Sequence, residues 1–102
     1  MKYLFVAPNL SGPTFETLQE TTFRMFKKVE SILEKFQQTD CTIKVSVTKE
    51  GHNFFRINVE ILNFKRENPI VVTKDSDLRK AVAIAASKVK NQIIEKRKRM
   101  QR

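Results

Sequence analysis

A chain of 102 residues with 40% hydrophobic content suits one folded domain and no more. Twenty Lys and Arg against eleven Asp and Glu give a net charge of +9, which favours an acidic partner. One Cys excludes an internal disulfide and a Cys-based zinc site, and no apolar run approaches the roughly 20 residues of a membrane span. We therefore expect a single soluble, cytoplasmic domain over residues 1–102.

The first half of the chain predicts a strand and then a long helix. Tyr3–Val6 is a short apolar run that reads as a strand. From Thr14 to Phe36, apolar residues recur at steps of three and four, the pattern of an amphipathic helix. Thr14 is a candidate N-cap, and Thr17 with Glu20 offers a capping box one turn later. The predicted apolar stripe consists of Phe15, Leu18, Thr22, Phe26, Val29, Leu33 and Phe36.

A hairpin and a short edge strand follow. Residues 41–48 and 54–61 each alternate between apolar and polar side chains, and the segment between them contains Gly51. This pattern predicts two antiparallel strands that each bury one face. Pro69–Thr73 is short and β-branched, and a Pro is tolerated at the start of an edge strand.

A second helix is predicted from Ser76 to about Met100, with Asp75 and Asp77 near its positive end. Its apolar stripe consists of Leu78, Ala81, Val82, Ala85, Val89 and Ile93. The predicted order is β-α-β-β-β-α, and both helices need a sheet to bury their stripes. We therefore predict an α+β fold, a four-stranded, largely antiparallel sheet with two helices packed on one face.

The residue types that enzymes require are scarce. The only His, His52, falls in the predicted hairpin turn, where a solvated side chain is expected. One Cys and one His cannot supply a catalytic triad or a metal cage, and Gly12 and Gly51 alone cannot form a phosphate-binding loop. We therefore expect no enzymatic activity, no cofactor, no metal and no small-molecule substrate.

Basic residues are concentrated in the second half of the chain. Residues 1–50 carry seven bases and six acids, a net charge of +1, whereas residues 51–102 carry thirteen bases and five acids, a net charge of +8. Nine of those bases lie along the second helix or just beyond it, and Glu95 is the one acid within the helix. Helix-dipole stabilisation explains one or two basic residues near a C-terminus but not nine along the helix. Cations spaced over roughly 30 Å of helix match the phosphates of a folded nucleic acid.

A helical plot assigns these bases to faces. In the first helix Arg24, Lys28 and Lys35 fall within about 40° of one another, opposite the apolar stripe, and Lys27 falls beside the glutamates. A solvated surface is an equally good interpretation of the first helix alone. The candidate RNA-binding residues of the second helix are Arg79, Lys90 and Arg97 on one flank, Lys80 and Lys98 on the outer side, and Lys88 on the other flank. No pair of adjacent helices would place a recognition helix in a DNA major groove, so structured RNA is favoured.

The whole pattern resembles one family. A strand, a helix with TFETLQETTFRMFKKVESILEKF, the strands CTIKVSVTKEG and FFRINVEIL, and the helix SDLRKAVAIAASKVKNQIIEKRKR resemble the ribosome hibernation promoting factors and ribosome-associated inhibitors. In that family the last helix opens with an Asp-led segment and continues as an alanine-rich, lysine-studded run, and here Asp77, Ala81, Lys88 and Lys96–Arg99 stand in those places. Long members carry a second, dimerising domain, and this chain resembles the short form.

The resemblance implies a fold similar to double-stranded-RNA-binding domains and docking in the decoding channel of the small ribosomal subunit. Bound there through ribosomal RNA, the protein would exclude messenger and transfer RNA and silence idle ribosomes, and it would be a monomer off the ribosome. Two alternatives stay open, a generic structured-RNA-binding module and a protein-binding modulator of a transcription factor. By the resemblance, the residues facing ribosomal RNA would be Arg24, Lys28, Arg79, Lys80, Lys88 and Lys90.

Overall fold

Seven elements make up the computed structural model, which describes residues 1–65 and 67–100, with the last two of these as backbone. Three helices and four strands follow one another along the chain. Their bounds are β1 Lys2–Val6, α1 Gly12–Met25, α2 Lys27–Lys35, β2 Thr42–Glu50, β3 Phe54–Leu62, β4 Ile70–Asp75 and α3 Leu78–Met100. The predicted α+β fold is confirmed, with one difference in the first helix.

The strands form one mixed sheet in the order β1-β2-β3-β4. β1 pairs with β2 in parallel, while β2–β3 and β3–β4 are antiparallel. The parallel pair requires a crossover, and α1 and α2 supply it. The short strand β4 lies at an edge of the sheet, as its sequence predicted.

The first helix is interrupted where the sequence predicted a continuous one. Phe26 has φ −93° and ψ 6°, outside the helical values of its neighbours. The hydrogen bonding nevertheless continues, because the Phe26 N–H donates to the Thr22 carbonyl and the Glu30 N–H donates to the Phe26 carbonyl, both at 2.9 Å. α1 and α2 therefore act as one bent arm. Neither Gly nor Pro stands at the bend, so the usual sequence signals of a break are missing.

The starts of α1 and α3 are fixed by side-chain caps, whereas α2 has none. The predicted N-cap at Thr14 is wrong, because the cap of α1 is Ser11, whose Oγ accepts from the Thr14 N–H at 3.4 Å. Pro13 has no N–H to satisfy in the first turn, so the helix extends upstream through it. At α3, the Asp77 carboxylate accepts from the N–H groups of Arg79 at 3.0 Å and Lys80 at 3.4 Å. That helix accordingly begins at Leu78, two residues after the predicted start.

The core lies between the sheet and the helices. The inward residues of the hairpin are buried, as the period of two predicted, except for the half-buried Phe55, and the six stripe residues predicted for α3 are buried as well. In α1 and α2 the fully covered stripe residues are Leu18, Thr22, Phe26, Val29 and Leu33. At β1, Tyr3 and Phe5 contact the ring of Phe23 edge to face, with centroids 5.1 and 5.7 Å away. These contacts hold the helices on one face of the sheet and leave its other face open.

Candidate nucleic-acid interface

The bent arm and α3 lie side by side and run in the same direction. At one end Thr14 and Thr17 of α1 line a depression with Arg79 of α3. At the other end the Arg97 guanidinium lies over the ring of Phe36, 5.3 Å from its centroid. Between these two ends, the bent arm and α3 leave a furrow on the side away from the sheet.

The middle of this furrow is lined by basic residues. Arg24, Lys27 and Lys28 stand on the side of the bent arm, and Lys90 stands on the side of α3. The α3 side is otherwise made of small side chains, which are Ala83, Ala86 and Ser87. We call the furrow bounded by these seven residues the basic groove. Because its α3 wall is low, a polyanion can approach the four cations closely.

The structure brings three of the nine predicted residues into the basic groove, Arg24, Lys28 and Lys90. Arg79 and Arg97 belong to the same flank of α3 but lie nearer the two ends of the furrow. The remaining four do not line the groove. They are Lys35 at the end of α2, Lys80 and Lys98 on exposed positions of α3, and Lys88, also exposed, on the opposite flank.

Two contacts distinguish the flanks of α3. Gln92 hydrogen-bonds to the backbone of Ile70 in β4, so that flank faces the edge of the sheet. Lys88 precedes Gln92 by about one helical turn and lies on the same flank. Arg97 shows how the other flank meets the bent arm, because its side chain is half-buried against Phe36 and its Nε is buried with no hydrogen-bond partner in the described part of the chain.

One acidic side chain of the bent arm, that of Glu30, is held by a hydrogen bond to β1. The Tyr3 hydroxyl donates to Glu30 Oε2 at 2.6 Å, which fixes that carboxylate on the β1 side of α2. Burial, together with the hydrogen bond to the Glu30 carboxylate and its charge, raises the pKa of Tyr3 well above its usual value. Among the described residues, none of the nine predicted bases forms an ion pair within 4 Å.

The bases of the sheet behave differently. Arg56 and Lys74 both pair with Glu50, at 3.5 and 2.8 Å, on the helix-free face. The hydrogen bond from Lys74 and the charges of both partners lower the pKa of the Glu50 carboxyl, although its partial desolvation opposes them. Lys96 pairs with Glu67 at 3.5 Å. Neutralisation within the chain is therefore found at the sheet and its loop rather than at the basic groove.

Lys27 is the functional candidate that sequence reasoning missed. The helical plot placed it beside the glutamates because the plot assumed one continuous helix. In the structure Lys27 directly follows the altered dihedral angles of Phe26, and it lines the basic groove. A plot with two separate phases could have found it, but the sequence gives no sign of where to divide them.

Over residues 1–65 and 67–100, no group of three or more His, Cys, Asp or Glu is placed to hold a metal ion. Within the same residues no helix is long and apolar enough to cross a membrane. His52 lies in the exposed turn between β2 and β3, as predicted.

Comparisons with known proteins point to one family. The family model described as "Sigma 54 modulation protein / S30EA ribosomal protein" matches residues 10–101. The chain is similar to the N-terminal domain of Protein Y from Thermus thermophilus, with a TM-score of 0.64 and 17% identity over 91% of this chain and 96% of that one. It is also similar to a ribosomal subunit interface protein from Coxiella burnetii, with a TM-score of 0.65 and 10% identity over 95% of this chain and 98% of that one. No curated protein sequence matches it significantly.

Proposed function

The chain belongs to the sigma 54 modulation protein / S30EA ribosomal protein family, and from this membership we propose that it binds the small ribosomal subunit. In this proposal it docks through ribosomal RNA in the decoding channel, where messenger and transfer RNA would otherwise bind. Idle ribosomes that carry it cannot start translation and are kept silent. The match of the family model to residues 10–101 confirms the family resemblance expected from the sequence. The docking site and its consequence for translation are proposals.

The observation that carries the proposal is the basic groove. Arg24, Lys27, Lys28 and Lys90 meet there without an ion-pair partner among the described residues. Unpaired cations on a chain of net charge +9 repel one another, and binding phosphates relieves that repulsion. Lys and Arg on helix surfaces contact phosphates and set the orientation of a protein on RNA without reading its sequence. The arrangement therefore suits recognition of a folded RNA by its shape and charge.

The exposed side chains of the sheet also favour the helical side as the RNA-binding side. Proteins that read single-stranded RNA on a sheet stack bases on exposed aromatic side chains. Phe54 is the large exposed aromatic residue on the hairpin, and the Lys74 ammonium already lies 5.5 Å from its ring centroid. The helical side, not the sheet, is therefore the side we assign to RNA.

The test is co-sedimentation with purified small subunits, followed by competition. We expect the chain to bind empty subunits and to inhibit initiation, and prior loading with message and initiator transfer RNA should prevent its binding. A variant with Arg24→Glu, Lys28→Glu and Lys90→Glu should lose both effects, because reversed charges repel phosphates. The control variant, Lys2→Glu, Lys49→Glu and Lys65→Glu, changes the same charge at exposed positions outside the groove and should retain them.

Two outcomes would contradict the proposal. Equal binding to filled and empty subunits would exclude the decoding channel as the docking site. Equal affinity for the small subunit and for an unrelated duplex RNA would favour the alternative function, a generic structured-RNA-binding module. Circular dichroism of each variant separates loss of binding from loss of fold.

A further inference from the structure

β4 presents a free strand edge to one side of the sheet. The Ile61 N–H donates to the Pro69 carbonyl at 3.0 Å, so the backbone of residue 69 and of alternate residues after it faces β3. The backbone groups of Ile70, Val72 and Lys74 therefore face outward, and we call this set the β4 edge. The side chains of Ile70 and Val72 are 53% and 44% exposed beside it. Such an edge is a template for pairing with another strand.

Gln92 of α3 closes one end of the β4 edge. Its Oε1 accepts from the Ile70 N–H at 2.6 Å, and its Nε2 donates to the Ile70 carbonyl at 3.0 Å. The carbonyl oxygen and one N–H of a primary amide point the same way, as do the C=O and N–H of a single residue in a neighbouring strand. Gln92 thus takes the place that a residue of a neighbouring strand would occupy.

We propose that the β4 edge is a pairing surface for β4 of a second copy of this chain, and that Gln92 keeps it closed. Two antiparallel copies of β4 related by a twofold axis at Val72 place each Ile70 opposite Lys74 of the other copy. That pairing needs both backbone groups of Ile70, and these are the groups that Gln92 binds. While Gln92 binds Ile70, only the backbone groups of Val72 at the centre can form hydrogen bonds between the two copies.

The composition of β4 favours a second copy as the occupant. Ile70, Val71, Val72 and Thr73 are β-branched, which suits cross-strand packing, and the twofold arrangement brings Val72 against Val72. The charges nearby oppose the same pairing, because each copy brings the ammonium group of its own Lys74 to the shared ladder. Gln92 and these lysines together match the way natural sheets protect exposed edges from association.

The experiment compares Gln92→Ala with the wild-type chain by sedimentation velocity from micromolar to millimolar concentration. We expect a monomeric wild type and a dimeric Gln92→Ala variant, with a dissociation constant at least roughly tenfold lower, since both Ile70 groups become available. Asn91→Ala is the matched control, because it removes an amide from the neighbouring exposed position of α3 and should leave the chain monomeric.

Hydrogen exchange identifies the surface. In dilute Gln92→Ala the Ile70 amide should exchange faster than in the wild type, and at high concentration the amides of Ile70 and Val72 should become protected together. Adding Val72→Pro removes an outward N–H without breaking a bond to β3, so the double variant should stay monomeric. The proposal is overturned by a Gln92→Ala chain that remains monomeric at millimolar concentration. It is equally overturned by a double variant that still dimerises, or by a wild type that associates as strongly.

Discussion

Replacing Arg24 and Lys28 with Ala should make RNA binding less dependent on salt. Both side chains are exposed, line the basic groove and form no ion pair among the described residues. Each phosphate contact that is lost removes about 0.7 to 0.9 from the slope of log affinity against log salt. The loss of two contacts therefore reduces the magnitude of this negative slope by about 1.5.

The expected change in salt dependence is large enough to measure. With a slope difference of about 1.5, the ratio of wild-type to variant affinity should fall about eightfold between 50 and 200 mM salt. The assay is a titration of a fluorescently labelled chain with small ribosomal subunits at four salt concentrations. Because Arg24 and Lys28 are exposed, the free energy of unfolding should change by less than about 0.5 kcal/mol, which urea titration checks.

The control pair is Arg56→Ala with Lys74→Ala. It removes the same formal charge from the opposite face of the sheet, where both bases are held by Glu50. If contact in the basic groove supplies the affinity, this pair should leave the salt slope within about 0.5 of the wild-type value. An equal loss of slope in both pairs would refute the reasoning, because net charge alone would then account for binding.

Two further predictions concern the frame that supports the groove. Tyr3→Phe should lower the free energy of unfolding by about 1 to 2 kcal/mol, since it removes the 2.6 Å bond to Glu30. The raised pKa of Tyr3 means that this contribution is fully present below pH 10 and is lost as the pH rises above it, so the difference between wild type and variant in urea titrations should shrink only there. Ser11→Ala should cost about 0.5 to 1 kcal/mol, because the cap to the Thr14 N–H is long at 3.4 Å, while Ser11→Asp should restore it; an unchanged urea midpoint would mean that the cap contributes nothing.

The sheet and α3 could be predicted because their patterns are local. A period of two places Ile43, Val45 and Val47 on one face whatever the rest of the chain does. The stripe of α3 is similarly fixed by its repeat, and it includes Ala81 and Ala85, which allow close packing of the helix. Both elements were correct to within two residues at their starts.

The bend at Phe26 and the two-point bond of Gln92 could not be predicted, for different reasons. The bend leaves the hydrogen bonds on both sides intact, so it needs no helix-breaking residue and has no sequence signal. Gln92 meets Ile70 across 22 residues of sequence, and nothing near either residue indicates the other. The first omission moved one lysine to the wrong face, and the second hid the closed edge of the sheet.

The two proposals concern different flanks of α3, which the helical repeat keeps apart. Arg79, Lys90 and Arg97 recur at steps of eleven and seven residues, which return to nearly the same direction at 3.6 residues per turn. Gln92 and Lys96 are four residues apart and face the other way, where they hold β4 and the loop that precedes it. The long repeat of the first set spreads charge along the furrow, whereas the short spacing of the second concentrates its bonds on one end of β4. The proposed RNA contacts and the closure of the sheet edge therefore depend on different residues of one helix, and we expect each to change without altering the other.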